Sequence, residues 1–293
     1  MSDHIKGNYY LPGPSPWPIV ASIGLFFIMF GAANWLHDVS FGPYVFGLGF
    51  AIVLFMMFGW FGIVIHENQT GLYDNPQLDR SFRWGMCWFI FSEVMFFGAF
   101  FGALYYSRDL SVAWLGGEGV GSMTHLLLWP DFVAEWPLLQ NPNPAQFVGP
   151  QSVMETWELP ALNTLILLTS GVTITIAHWA ILKNRHVPAL VGQGLTILLG
   201  VCFLVMQAHE YSIAYLEKGL TLASGIYGTT FFMLTGFHAF HVTLGTIMLI
   251  VIFFRIYKRH FNSHNHFAFE AVSWYWHFVD VVWLLLFVLV YWM

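Results

Sequence analysis

Apolar residues run along this chain in seven long stretches, separated by short polar, turn-forming breaks. The stretches cover residues 17–37, 42–66, 82–106, 160–182, 190–215, 225–257 and 268–292. A helix that crosses a hydrocarbon core of about 30 Å needs about 20 mostly apolar residues, and every stretch meets that length. The sixth is long enough to tilt or to extend past the membrane. Four breaks carry loop chemistry: Phe41-Gly42-Pro43, Asn68 to Gly71 with Asn75-Pro76, Lys183 to Pro188, and Asn262 to His266. Polar and apolar residues do not alternate over segments of about ten residues, which excludes transmembrane strands. The pattern predicts an all-α polytopic membrane protein, a single integral domain over 1–293 with seven transmembrane helices.

The basic residues predict how it sits. With the N-terminus inside, Lys6, Arg80, Arg83, Lys183, Arg185, Arg255, Lys258 and Arg259 fall on the inner side. Only Arg108 and Lys218 fall outside. Positive residues gather on the inner side of membrane proteins, so N-in, C-out is expected. Composition agrees with a membrane location: charged residues make up 9% of the chain, against about 25% in soluble domains. The net charge of −6 excludes a general nucleic-acid binder, whose footprint is basic. Cys87 and Cys202 lie in apolar runs, so neither a disulfide framework nor a thiolate metal site is expected. The opening MSDHIKGNYYLPGPSPWP lacks the basic start and short apolar core of a cleavable signal, so the first span is expected to stay as an anchor.

The connection 107–159 faces outward on this layout. It carries Asp109, Glu118, Asp131, Glu135, Glu155 and Glu158, with NPNP at 141–144. Loops of this length are functional, disordered or partner-binding. An acidic outer face could meet a basic soluble partner, but a solvated loop packed on neighbouring subunits is the preferred reading. Without an internal repeat, an inverted-repeat transporter is disfavoured.

Ionisable residues inside a membrane are costly and mark candidate sites. Glu93, in FSEVMFF, sits near the middle of the third span and is expected to be protonated or paired. It could be a proton-relay carboxyl, a metal ligand, a lipid-facing group or a neutral acid bonded between helices. His238 and His241 in the sixth span, and His277 and Asp280 in the seventh, each share a helical face through i, i+3 spacing. Imidazole and carboxylate at that spacing suit first-row metals. They equally suit interhelical hydrogen bonds, aided by Gly236, Ala239 and Gly245. His209 and Glu210 read as a charged pair near the outer interface. Gly47, Gly49, Gly59, Gly62, Gly98 and Gly102 mark places where helices could approach closely. No phosphate-binding loop, Walker motif or serine nucleophile elbow is present.

Several strings in order resemble subunit III of the heme-copper cytochrome c oxidases. They are PSPWP (14–18), RWGMCWFIFSEVMFF (83–97), ALNTLILLTSGVTITIAH (161–178), YGTTFFMLTGFHAFHVTLG (227–245) and HFAFEAVSWYWHFVDVVWL (266–284). The resemblance implies seven helices, a pair and a group of five around a phospholipid-filled cleft, with the N-terminus inside. It implies a non-catalytic chain without cofactors of its own, heme and copper residing in subunits I and II. His238, His241, His277 and Asp280 then read as polar packing. Glu93, Arg255, Glu67 and Trp60 match positions tied to the lipid cleft or to proton movement. The chain departs from the family at GWFGIVIHENQTG (59–71) and at Asn265 and Ala268. Its 107–159 loop is longer than in compact members and lacks their WPP-x-G segment.

The implied function is support of a proton-pumping oxidase that reduces dioxygen to water with electrons from cytochrome c. Subunits I and II and phospholipids are the implied partners, and cytochrome c meets the chain only through the holoenzyme. Two other readings compete. A membrane di-iron oxygenase would use Glu93, His238, His241, His277 and Asp280, and a proton-coupled transporter would use Glu93. The long loop and the lack of an organelle-targeting segment point to a bacterial inner membrane rather than a mitochondrial one.

Overall fold

Proline sets the start of most of the long helices. It stands at the first or second position of α1 (Trp17–Leu36) and α2 (Gly42–Gln69). The same holds for the helix Leu159–Leu182, and Pro76 itself opens α3 (Pro76–Tyr105). Its missing N–H is one the first turn would leave unpaired, and its fixed φ already suits a helix. A computed structural model of the chain describes residues 13–71 and 76–293. Lys6, the opening segment before residue 13 and Asn75 lie outside the described residues.

The helices after α3 are two short ones, α4 (Val112–Leu115) and α5 (Ser122–Leu128), and four long ones. The long ones are α6 (Leu159–Leu182), α7 (His186–Leu216), α8 (Ile226–Tyr257) and α9 (Phe267–Leu286), which runs on as a π-turn to Trp292. Seven segments are long and apolar enough to cross a membrane, the third running from Pro76 through a π-turn to Leu115. The described residues contain no strand. α3 begins earlier than the apolar pattern predicts. Asp79 and Arg83, one helical turn apart and 2.8 Å from each other, continue the helix into polar surroundings that an apolar window does not register.

Two compact units make up the chain, residues 1–84 and 85–293. In the first, α1 and α2 form a hairpin whose backbones approach at glycines. A Cβ at Gly24 would press on Val53, and one at Gly49 would meet the Ile28 backbone at 2.5 Å. Such contact lets helices associate by close packing where lipid offers no hydrophobic drive.

In the second unit α6, α7, α8 and α9 pack as neighbours. Trp276 of α9 is the centre of this bundle and has no exposed surface. Gly200 of α7 and Gly245 of α8 receive its ring, since a Cβ at either would lie 2.8 or 2.9 Å from the indole. Its Nε1–H donates to Ser170 Oγ on α6 at 2.8 Å, and Trp283 Nε1–H donates to Thr164 Oγ1 at 2.9 Å. Gln193 Nε2 donates to the Leu249 carbonyl at 2.9 Å, and Tyr211 pairs with Thr235 at 2.7 Å. These bonds satisfy polar groups where no water can.

No described atom comes within 4 Å of a Cβ built at Gly47, Gly62, Gly98 or Gly102. The spacing predicts close-approach sites here, but among the described residues no other helix comes close to them.

The long connection packs onto its own chain. Phe132, Leu138 and Met154 are buried in the core of the second unit. Gln151 N–H donates to the Lys218 carbonyl at 2.8 Å, and Asn141 Nδ2 donates to the Ser224 carbonyl at 3.3 Å. Thr156 Oγ1–H donates to the Tyr291 carbonyl. Gly225, at φ 102°, starts α8 in a conformation that favours glycine, and a Cβ there would run into the Asn141 amide. All six acids of this connection are exposed.

Candidate functional site

Within the second unit, Glu93 of α3 meets His241 of α8. The Glu93 Oε2 to His241 Nε2 distance is 3.0 Å, and the two side chains are 22% and 8% exposed. His241 Nδ1 lies 2.7 Å from the Phe237 carbonyl, an acceptor only, so Nδ1 carries a proton and donates. The Nε2–Oε2 contact then needs one more proton, held either by a carboxylic acid that donates to the ring or by an imidazolium that donates to a carboxylate. The pair is neutral overall in both cases. Phe97 and Phe96 lie against the His241 ring at 4.9 and 5.8 Å, walling the pair with apolar surface.

The other intramembrane groups make separate contacts. His238, 1% exposed, donates Nε2–H to the Val279 carbonyl at 3.1 Å, with its ring 5.1 Å from Trp283. His277 Nδ1 lies 3.5 Å from Asp280 Oδ2, and its Nε2 lies 3.3 Å from Thr175 Oγ1. Gly171 gives Asp280 room, since a Cβ there would sit 2.5 Å from Oδ2. An open groove of about 490 Å³ runs over this point, lined by Gly171, Thr175, Trp179, His277, Asp280 and Leu284. The five residues named for a di-iron centre are therefore divided among three sets of partners.

Arg255, at the last turn of α8, is buried, with its guanidinium carbon 4.6 Å from the centroid of the Phe261 ring. Trp60 is 48% exposed on α2 and stacks with Phe61 at 6.0 Å. Glu67 lies in the last turn of α2, its carbonyl accepting from Thr70 Oγ1 at 3.0 Å. His260, beyond α8, is held below the ordinary imidazole range by desolvation and then by the charges of Arg255 and Lys258.

Two features were misread or missed in the sequence. His209 is exposed, whereas Glu210 points inward with no exposed surface and accepts from Gln207 Nε2 at 3.4 Å. Adjacent residues on a helix point about 100° apart, so His209 can face outward while Glu210 faces the bundle. Missed altogether was the meeting of His178, His266 and Glu270, whose ligand atoms all lie within 4.8 Å of one another. The i, i+4 spacing of His266 and Glu270 was the available signal.

Helices apolar on most faces, with their few polar groups bonded to one another inside the bundle, define a polytopic membrane subunit. The family described as cytochrome c oxidase subunit III matches residues 7–121 and 143–293. Proteins named cytochrome c oxidase subunit 3 are similar over nearly the whole chain. The one from Formosania lacustris is 39% identical, over 99% of this chain and 98% of its own length. That from Drosophila melanogaster is 37% identical, over 100% and 99%, and that from Arabidopsis thaliana 38%, over 100% and 98%. The chain belongs to the cytochrome c oxidase subunit III family and is part of an oxidase complex.

The family match leaves out residues 122–142, which hold α5 and the buried Phe132 and Leu138. A multi-pass membrane location stands. The preference for a bacterial membrane does not, because the matching relatives include animals, a plant and an alga.

Proposed function

We propose that this chain is the subunit without redox centres in a proton-pumping cytochrome c oxidase, sitting N-in, C-out beside subunits I and II. Its role is to stabilise the catalytic subunit, keep proton uptake fast and hold phospholipid through which apolar dioxygen can pass. One observation carries the reading: Glu93 with His241, His277 with Asp280, and His238 with the Val279 carbonyl form three separate sets of contacts. A di-iron oxygenase would need these five side chains in one shared centre, and their division among three sets of contacts favours packing instead. Trp60, Glu67, Glu93 and Arg255 are proposed as separate points of lipid or proton contact. The half-exposed Trp60 indole suits an interfacial anchor. Arg255, at the basic end of α8, suits a phosphate. Cytochrome c meets the complex rather than this chain.

The test is a mild-detergent isolation of the tagged chain from its host, read by a reduced-minus-oxidised spectrum and by iron and copper content. Heme and copper are expected in the complex and absent from the chain once its partners are stripped away. Iron retained on the stripped chain would overturn the reading and move the buried histidines to catalysis.

A further inference from the structure

Where α6 closes and α9 opens, two histidines and a glutamate converge. His178 comes from the turn before the end of α6, His266 is the cap of α9, and Glu270 stands in its first turn. The i, i+4 spacing places His266 and Glu270 on one face, with Nε2 and Oε2 4.0 Å apart. The His178 and His266 ring centroids are 5.6 Å apart, and the three ligand atoms lie within 4.8 Å of one another. We propose that His178, His266 and Glu270 bind one divalent transition-metal ion of the zinc class, with a fourth position left to water. The inference does not rest on the oxidase reading.

Two imidazoles and a carboxylate are a borderline donor set that suits zinc better than the hard cations, which prefer oxygen alone. His266 is already oriented for it. Its Nδ1 lies 3.2 Å from the Asn262 carbonyl and must donate to it, which leaves the Nε2 lone pair facing Glu270. This is the outer bond that fixes a ligating imidazole in metal sites. Asn262 is itself held, its Oδ1 accepting from the N–H groups of His264 and Asn265 at 2.9 and 2.8 Å.

The two halves of the site are tied together. Asn184, just after α6, accepts from Ser263 N–H at 3.0 Å and donates to Ser263 Oγ at 3.2 Å. Phe269, 1% exposed, backs the His178 ring at 5.5 Å, so one wall is dry. His266 and Glu270 keep 12% and 15% of their side-chain surface, an opening for an ion and its water. Tetrahedral bonds of about 2.0–2.2 Å set donor atoms about 3.3–3.6 Å apart, so binding draws the ligands inward by about 1 Å. Glu270, with three rotatable side-chain bonds, can supply that movement.

The test uses the complex as isolated in mild detergent, cleared with a chelator, dialysed and titrated with zinc. Zinc is counted against heme, and the wild type is compared with His178→Asn, His266→Asn and Glu270→Gln. Each variant is expected to hold one zinc fewer per complex, or to bind that zinc at least tenfold more weakly, with heme and copper unchanged. Zinc-edge X-ray absorption of the reloaded wild type, minus the chelated sample, is expected to show two imidazoles and one carboxylate. That measurement decides the matter where a variant fails to assemble. Equal zinc retention in wild type and variants, or an added zinc without two imidazoles, overturns the proposal.

Discussion

At the scale of single residues, the Glu93–His241 contact turns on one proton. Because His241 Nδ1–H is committed to the Phe237 carbonyl, the pair is neutral whichever partner holds that proton. Glutamine copies the carboxylic-acid form, since its amide N–H can donate to Nε2. Glu93→Gln is therefore expected to assemble, turn over and pump like the wild type. Glu93→Leu instead leaves a buried imidazole nitrogen without its partner, a loss of about 1–3 kcal/mol. Thermal inactivation of the two variant complexes checks the contrast. Equal damage from both would mean that the pair is an ion pair, and lost pumping in Glu93→Gln alone would give the carboxyl an active part in proton movement.

Between helices, the decisive feature is the slot that Gly200 and Gly245 make for Trp276. A methyl group at 245 would lie 2.9 Å from the indole, closer than packed carbons tolerate. Gly245→Ala is expected to cost about 1–3 kcal/mol through overpacking. Gly98→Ala, with no described atom within 4 Å of its Cβ, is expected to leave the stability of the chain unchanged. Unfolding of both chains in detergent compares them, and equal losses would remove the slot as an explanation. Trp276→Phe would empty part of the bundle centre and take the N–H donor from Ser170, for a cost of about 2–4 kcal/mol. The same unfolding assay reads it, and a loss below 1 kcal/mol would mean that the bundle closes over the gap.

For the whole molecule, the 107–159 connection is a structural cover on its own unit, with its acids on an exposed surface. Leu138 is 4% exposed, and Leu138→Ala is expected to cost about 2–5 kcal/mol. Converting the six exposed acids to amides is expected to leave assembly unchanged, because exposed charges contribute little. Yield of the intact complex from each variant tests both. Collapse of assembly on losing the acids alone would show that this face docks a partner through its charge. Residues 122–142 lie outside the family match, yet Phe132 and Leu138 among them are buried in the core of the second unit.

The seven spans were legible in the sequence because length and apolarity alone satisfy a bilayer, and the prolines and turn residues between them mark the ends. The family was legible too, carried by strings such as HFAFEAVSWYWHFVDVVWL. What remained hidden was which face of each helix meets which neighbour. Helices that are apolar nearly all the way round carry no stripe from which to read a rotation. Hence Glu210 looked interfacial and is buried, Gly98 and Gly102 looked like a contact and have no close neighbour among the described residues, and Glu93 finds its partner 148 residues away. The joining of His178 to His266 and Glu270 was decided in the same way. It depends on two loops tied through Asn184 and Ser263, and only the packing of α6 against α9 brings them together.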